Sequence, residues 1–203
     1  FRPKIKICGM TNIENAEMCA RSGADLLGFI FYKNSARYIP PQKADKIIRT
    51  IKSKYNNIRT VGVFVNAAIE EVRHIKEQCN LDYLQLHGNE SPRYAKQLGT
   101  NVIKAFRVSK EMSVLSEIEK YDTDFILLDT FHPDKYGGTG ASFDWGLLNQ
   151  LSSRKIFLAG GINPANYSLA ISYQPYAVDI NSGVEKTPGI KDKNLVRNIL
   201  RRK

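Results

Sequence analysis

No apolar stretch in this chain approaches the roughly 18 to 20 residues that a membrane-spanning helix requires, which excludes an integral helical membrane protein. Cysteine is scarce: Cys8, Cys19 and Cys79 are odd in number and scattered. They suit neither a disulfide framework nor a zinc site, and a reducing cytoplasm is the expected setting. The histidines, His74, His87 and His132, stand far apart, without metal-ligand spacing. No apolar signal-like segment follows Phe1-Arg2-Pro3, so no secretory address is expected. Linkers, low-complexity tracts and composition shifts are missing as well. At 203 residues, 42% of them hydrophobic, the chain can bury a sizeable core and reads as one domain over 1–203.

Positive charge is the one excess, with 30 Lys and Arg against 20 Asp and Glu, a formal +10. The cations are interleaved with acids rather than stacked. The densest stripe, Lys43, Lys46, Arg49 and Lys52, recurs every three residues beside Ile47, Ile48 and Ile51. That is the pattern of a solvated face on an amphipathic helix. Arg197, Arg201, Arg202 and Lys203 read as cations favourably placed near a helix C-terminus. A positive field draws in anionic substrates. Nucleic-acid binding would need a basic patch interleaved with exposed aromatics, and no such motif is spelled out.

Short β-branched or apolar runs occur at 4–8, 26–31, 60–65, 83–86, 102–107, 125–129, 155–159 and 177–180. Helical spacing fills 13–21, 44–53, 68–79, 92–98, 112–121, 145–151, 164–173 and 195–201. Thr11 with Glu14 spells a capping box, and Asn163-Pro164 a cap before a first-turn proline. Regular strand–helix alternation signals βα units on a parallel sheet. Eight units are what a (β/α)8 TIM barrel needs to close. An open doubly wound sheet would want Gly-x-Gly-x-x-Gly after its first strand, where this chain has Cys8-Gly9-Met10.

In such barrels the chemistry lies at the C-terminal ends of the strands. Those ends present Cys8, Arg37, Asn66, Gln85-Leu86-His87-Gly88, Arg107, Asp129, Gly160-Gly161 and the run from Asp179 to Gly183. Cys8 is either a small buried hydrophobe or, as a strand-end thiol followed by glycine, a nucleophile or general base if its pKa falls. Cys19 and Cys79, within helical patterns, read as core. Asp129 is either a turn carboxylate or a protonated acid across the mouth from Cys8. Asp179 reads as a cap, or as an ion pair with Arg37 or a lysine. Gly160-Gly161 and Asn181-Ser182-Gly183 follow the seventh and eighth strands, where barrels commonly hold a phosphate on converging backbone N–H groups. Gly137-Gly138-Thr139-Gly140 reads as a hinged lid.

These residues, in order, resemble a known family. Lys6-Ile7-Cys8-Gly9-Met10-Thr11 is similar to the opening signature of the phosphoribosylanthranilate isomerases of tryptophan biosynthesis. So are Gly28-Phe29-Ile30-Phe31-Tyr32, Ser35-Ala36-Arg37-Tyr38-Ile39, Val61-Gly62-Val63-Phe64-Val65-Asn66 and Leu84-Gln85-Leu86-His87-Gly88. Leu127-Leu128-Asp129-Thr130, Tyr136-Gly137-Gly138-Thr139-Gly140 and Phe143-Asp144-Trp145 follow. Ala159-Gly160-Gly161-Ile162-Asn163-Pro164 and Val178-Asp179-Ile180-Asn181-Ser182-Gly183-Val184-Glu185 complete the series.

The resemblance implies an Amadori rearrangement of a small phosphorylated substrate, with no metal, no cofactor, no nucleic acid and no membrane. By matching position, Cys8 is the implied general base and Asp129 the general acid. Arg37 is implied to clamp the anthranilate carboxylate, His87 and Asp179 to line the sugar and ring site. Gly160, Gly161, Asn181, Ser182 and Gly183 are implied to hold the phosphate. Asn181 and Thr139 depart from the family's usual Ser while keeping polar side chains. A sister barrel isomerase of histidine biosynthesis is the nearest alternative, but its implied first-strand base is an aspartate, and this chain has Cys8. A barrel that lost activity and serves as an interaction module is a further alternative, against which Cys8 and Asp129 both stand.

Overall fold

The computed structural model describes residues 2–108, 114–130 and 144–201. Its eight parallel strands are β1 (Lys4–Ile7), β2 (Leu26–Ile30), β3 (Arg59–Phe64), β4 (Tyr83–Leu86), β5 (Val102–Val108), β6 (Phe125–Thr130), β7 (Ile156–Leu158) and β8 (Ala177–Ile180). They form a closed barrel in sequence order. Closure comes from β1 on β8, with Lys4 opposite Ala177 and Lys6 opposite Asp179. The helices are α1 (Ile13–Ser22), α2 (Pro41–Lys54), α3 (Ile69–Gln78), α4 (Pro92–Gln97), α5 (Leu115–Ile118), α6 (Tyr167–Ser172) and α7 (Lys193–Leu200). The TIM-barrel class expected from strand–helix alternation is the observed one.

Strands buried on both faces read as continuous apolar runs, and β2, Leu-Leu-Gly-Phe-Ile, is buried throughout. Alternate residues sort into two cores. Ile5, Ile7, Leu27 and Phe29 pack outward against helix residues such as Ile47, Ile48, Val72 and Ile75. Leu26, Val61, Ile103, Phe125, Phe157 and Ala177 form a separate cluster that plugs the barrel interior. On α2 the basic stripe is solvated as expected, with Arg49 on Asp45 at 2.7 Å and Lys52 on Asp82 at 2.9 Å.

Several local expectations need correction. Helix α1 is capped by Asn12, whose side chain accepts from the Asn15 N–H at 2.8 Å. Thr11 does not cap; its hydroxyl donates to the Gly189 carbonyl at 2.6 Å. Asn163 closes a turn by accepting from the Ala165 N–H at 2.8 Å, and α6 starts later, at Tyr167. Trp145–Leu151 is a 3-10 helix capped by Asp144 rather than an α-helix. Of 112–121, only Leu115–Ile118 is α-helical, and 112–113 lie outside the described residues. An unforeseen hairpin, β9 (Glu185–Thr187) with β10 (Ile190–Lys191), follows β8 and turns at Gly189, φ +83°.

Candidate active site

One cavity lined by charged and polar side chains opens at the C-terminal ends of the strands, the kind of concave surface with convergent polar groups that small-molecule sites use. Strand pleat decides what faces it, because residues two apart share a face. On β1 that pairs Lys6 with Cys8, at the end of β4 Gln85 with His87, and at the end of β8 Asp179 with Asn181. Asp129 reaches the same cavity from β6, and Arg37 from the loop after β2. Gly160 and Gly161 line it beside Asn181, Ser182 and Gly183. Every residue singled out as a site candidate by resemblance therefore meets in one place. Asn66 and Arg107 serve neighbouring loops instead: both bond Asn89, Asn66 by accepting from its N–H at 2.7 Å and Arg107 by donating to its side chain at 3.3 Å. The proposed lid, Gly137-Gly138-Thr139-Gly140, and His132 lie outside the described residues.

Buried polar bonds connect the floor of this cavity. Lys6, with no exposed surface, donates to Asp179 Oδ2 and Gln85 Oε1, both at 2.7 Å. Gln85 Nε2 lies 2.8 Å from His87 Nδ1, and His87 Nε2 lies 3.2 Å from Asp129 Oδ2. Asp179 therefore pairs with a lysine, one of its two expected partners. Its other oxygen, Oδ1, is buried without a hydrogen-bond partner among the described residues. Burial works against the Lys6 cation, but Asp179 and the Cys8 sulfur outweigh it and hold its pKa up.

Cys8 is only 4% exposed yet lines the cavity. Burial pushes its thiol above the ordinary value; the Lys6 cation pulls the other way without cancelling the rise. The depressed thiol pKa that an active base suggested is thus not the resting condition of the pocket. Space for this arrangement comes from Gly28, where a Cβ would sit 2.6 Å from Cys8 Sγ and 3.1 Å from Lys6 Cε. Cys19 and Cys79 are buried as expected, their thiols pushed up by desolvation to about 12 and about 11.

Arg37 is anchored by Glu185 on the unforeseen hairpin: Nε bonds both carboxylate oxygens at 3.0 Å, and Nη2 bonds one at 2.7 Å. Lys191 donates to the same carboxylate at 2.9 Å and to Asn181 Oδ1 at 3.0 Å. Burial opposes the Glu185 charge, but the Arg37 hydrogen bonds and Lys191 outweigh it and hold its pKa below 4.5. Gly9, at φ +79°, lets the chain pass this knot, since a Cβ there would stand 2.7 Å from Asn181 Oδ1. On the far side, the loops after β7 and β8 press together: a Cβ on Gly183 would lie 1.9 Å from the Ile162 carbonyl oxygen. Gly160 and Gly161 both take left-handed φ, 87° and 69°, which glycine adopts without strain.

Lys6, Gln85, Glu185 and Lys191 hold the site together although the sequence gives them no role in it. For the first two a signal existed: each sits two residues before a candidate, Cys8 or His87, on the same strand face. Among the described residues no group of three His, Cys, Asp or Glu side chains is arranged to hold a metal ion. None of their helices is long and apolar enough to cross a membrane.

A TIM barrel with a thiol, two carboxylates, an imidazole and an anchored guanidinium in one mouth has the make-up of a small-molecule enzyme. The chain matches the family model of N-(5'-phosphoribosyl)anthranilate isomerase over residues 5–202, and it belongs to that family. It is 44% identical to the N-(5'-phosphoribosyl)anthranilate isomerase of Trichlorobacter lovleyi over 98% of this chain and 96% of that one. The crystal structure of the Thermotoga maritima phosphoribosyl anthranilate isomerase superposes with a TM-score of 0.90 at 36% identity, covering 98% of both chains. Another family structure, in complex with reduced 1-(o-carboxyphenylamino)-1-deoxyribulose 5-phosphate, has a TM-score of 0.86 at 35% identity, covering 98% of this chain and 97% of that one.

Proposed function

We propose that this chain, as one catalytic domain, isomerises N-(5-phosphoribosyl)anthranilate to 1-(2-carboxyphenylamino)-1-deoxyribulose 5-phosphate. The observation that carries this reading is that Cys8 and Asp129 line one cavity, between an anchored arginine and two glycine-bearing loops. The relative crystallised with a reduced product analogue supports the ligand class. Asp129 gives its proton to the furanose ring oxygen as the C1–O bond breaks, leaving an iminium conjugated to the anthranilate nitrogen. Cys8, as the thiolate that the Lys6 cation favours against burial, then takes the proton on C2. The C2–H electron pair becomes a C1–C2 double bond, and the iminium nitrogen is neutralised. The resulting enolamine loses its 2-hydroxyl proton and gains one at C1, giving the ketone.

The iminium is the electron sink, so the substrate supplies what a cofactor otherwise would. Each positioned proton transfer is worth about 10²- to 10⁴-fold. Glu185 engages Nε and Nη2 of Arg37, and on this reading the remaining guanidinium N–H groups bind the anthranilate carboxylate. His87 and Asp179 flank the sugar and ring, and the loops at Gly160-Gly161 and Asn181-Ser182-Gly183 take the phosphate. The partner is a small phosphorylated molecule, with no nucleic acid and no membrane. The three buried free thiols suit a reducing cytoplasm.

The purified protein, in excess chelator, should discharge the anthranilate fluorescence of the substrate. Asp129→Asn keeps the shape but not the transferable proton, and kcat should fall at least about 100-fold with a smaller change in KM. No turnover by the wild type, or near-full kcat in Asp129→Asn, refutes the assignment.

A further inference from the structure

Three buried groups at the cavity floor have no role in the proton transfers: Lys6, Gln85 and the second ring nitrogen of His87. Their hydrogen-bond chemistry fixes one another in sequence. An ammonium only donates, so the Gln85 atom 2.7 Å from Lys6 Nζ is the carbonyl oxygen. The reverse orientation would set an NH₂ against an NH₃⁺ in a dry site. With its oxygen on Lys6, Gln85 presents the amide nitrogen to His87 Nδ1 at 2.8 Å. That nitrogen donates, so Nδ1 must accept and carries no proton. In the neutral ring the proton then sits on Nε2, 3.2 Å from Asp129 Oδ2.

We propose that Lys6 is a positioning residue: through Gln85 it locks His87 as the Nε2–H tautomer, with that N–H aimed at Asp129 Oδ2. This rests on the reading of Asp129 as general acid. The lock does two things for such an acid. A donor on Oδ2 disfavours a proton on that oxygen, so the transferable proton belongs on Oδ1. His87 also cannot relieve Asp129 of its proton: Nε2 is already protonated, and Nδ1 is occupied by the Gln85 amide. The acid keeps its proton for the substrate, and the carboxylate left behind retains a hydrogen-bond donor. Lys6 has the length and position to reach the base side too, since the vacancy at Gly28 is bounded by Lys6 Cε and Cys8 Sγ together.

The test is ¹⁵N-labelled protein at pH 8.5, with the ring nitrogens of His87 read from long-range ¹H–¹⁵N correlations and assigned by their loss in His87→Gln. Wild type should show protonated Nε2 and bare Nδ1. Gln85→Glu replaces the donor with a carboxylate that only accepts, so the ring should invert to Nδ1–H. That variant keeps Lys6 between anions, which favours folding, and kcat should drop about 10- to 100-fold with little change in KM. Lys6→Met should release the amide and give a mixture of tautomers. Nδ1–H in wild type, or unchanged Nε2–H in Gln85→Glu, overturns the proposal. The spectra do not depend on turnover. A locked wild-type ring with an active Asp129→Asn therefore refutes the acid assignment alone, whereas the wrong tautomer with an inactive Asp129→Asn refutes the lock alone.

Discussion

Glu185→Gln is the sharpest perturbation the site offers away from the reacting atoms. The wild-type carboxylate accepts from Arg37 Nη2 at 2.7 Å, from Lys191 Nζ at 2.9 Å and from the Gly189 N–H at 3.1 Å. Side-chain exposure is 14% for Arg37, 4% for Glu185 and 0% for Lys191. Replacing the carboxylate removes the charge and swaps one acceptor for a donor facing two cations. Removing one partner of a buried pair costs about 3–5 kcal/mol, mostly through the stranded charge. For a chain of this size each kcal/mol moves Tm by about 2–4 °C, so Tm should fall by about 6–20 °C. Thermal unfolding and denaturant titration would read this directly. Because folding depresses the Glu185 pKa, its stabilisation is in place above the ordinary carboxyl value of 4.5 and is lost as pH falls through the depressed value. The variant should therefore lose less stability on acidification than wild type. KM should rise as the Arg37 fork loosens. Adding Lys191→Met removes the stranded ammonium and should return part of the loss, a coupling of about 0.5–3 kcal/mol. Stability of Glu185→Gln within about 0.5 kcal/mol of wild type would refute the reasoning.

Other perturbations test the remaining walls. Gly183→Ala places a methyl 1.9 Å from the Ile162 carbonyl oxygen and must part the two loops; inhibition by inorganic phosphate should weaken at least about 10-fold, and an unchanged inhibition constant would move the phosphate elsewhere. Iodoacetamide should modify Cys8 with a pH midpoint above the ordinary thiol value of 9.0, and a midpoint below it would contradict the burial of the sulfur. Lys6→Met and Asp179→Leu should each destabilise by about 3–5 kcal/mol, whereas the double variant should approach wild-type stability without activity; a double variant as unstable as the sum of the singles would show that the two charges are not coupled.

Much of the barrel was legible because its strands are buried on both faces, so each appears as an apolar run bounded by polar residues. Tyr83–Leu86 and Ala177–Ile180 coincide with their runs. Helix starts were harder: Thr11 and Asn12 are both competent caps, and the choice turns on Thr11 reaching Gly189, far away in sequence. The β9–β10 hairpin carried no signal, since Glu185-Lys186-Thr187 alternates nothing apolar. The candidate catalytic pair was visible as strand-end residues, but their electrostatic setting was not. A lysine within Lys-Ile-Lys-Ile reads as the solvent face of an alternating strand. Only closure of the barrel turns that face inward, and only then do residues 6, 85 and 179 meet.

The inward-facing side chains of the barrel show why that polar group exists. Leu26, Val61, Ile103, Phe125 and Phe157 form an apolar cluster in the interior, as the fold's stability requires. Lys6, in register with Leu26 on β2 and Asp179 on β8, is stripped of water and tied to Asp179. A buried ion pair of this kind is commonly no more stable than apolar residues of similar volume. The second carboxylate oxygen of Asp179 has no hydrogen-bond partner among the described residues, a cost of about 1–3 kcal/mol for a buried acceptor. Packing alone would have set apolar side chains at these inward positions too. Side chains that cost stability, leave one acceptor unmet and reach Asp129 through Gln85 and His87 fit the function proposed above, in which Asp179 flanks the sugar and its second oxygen would accept from a sugar hydroxyl.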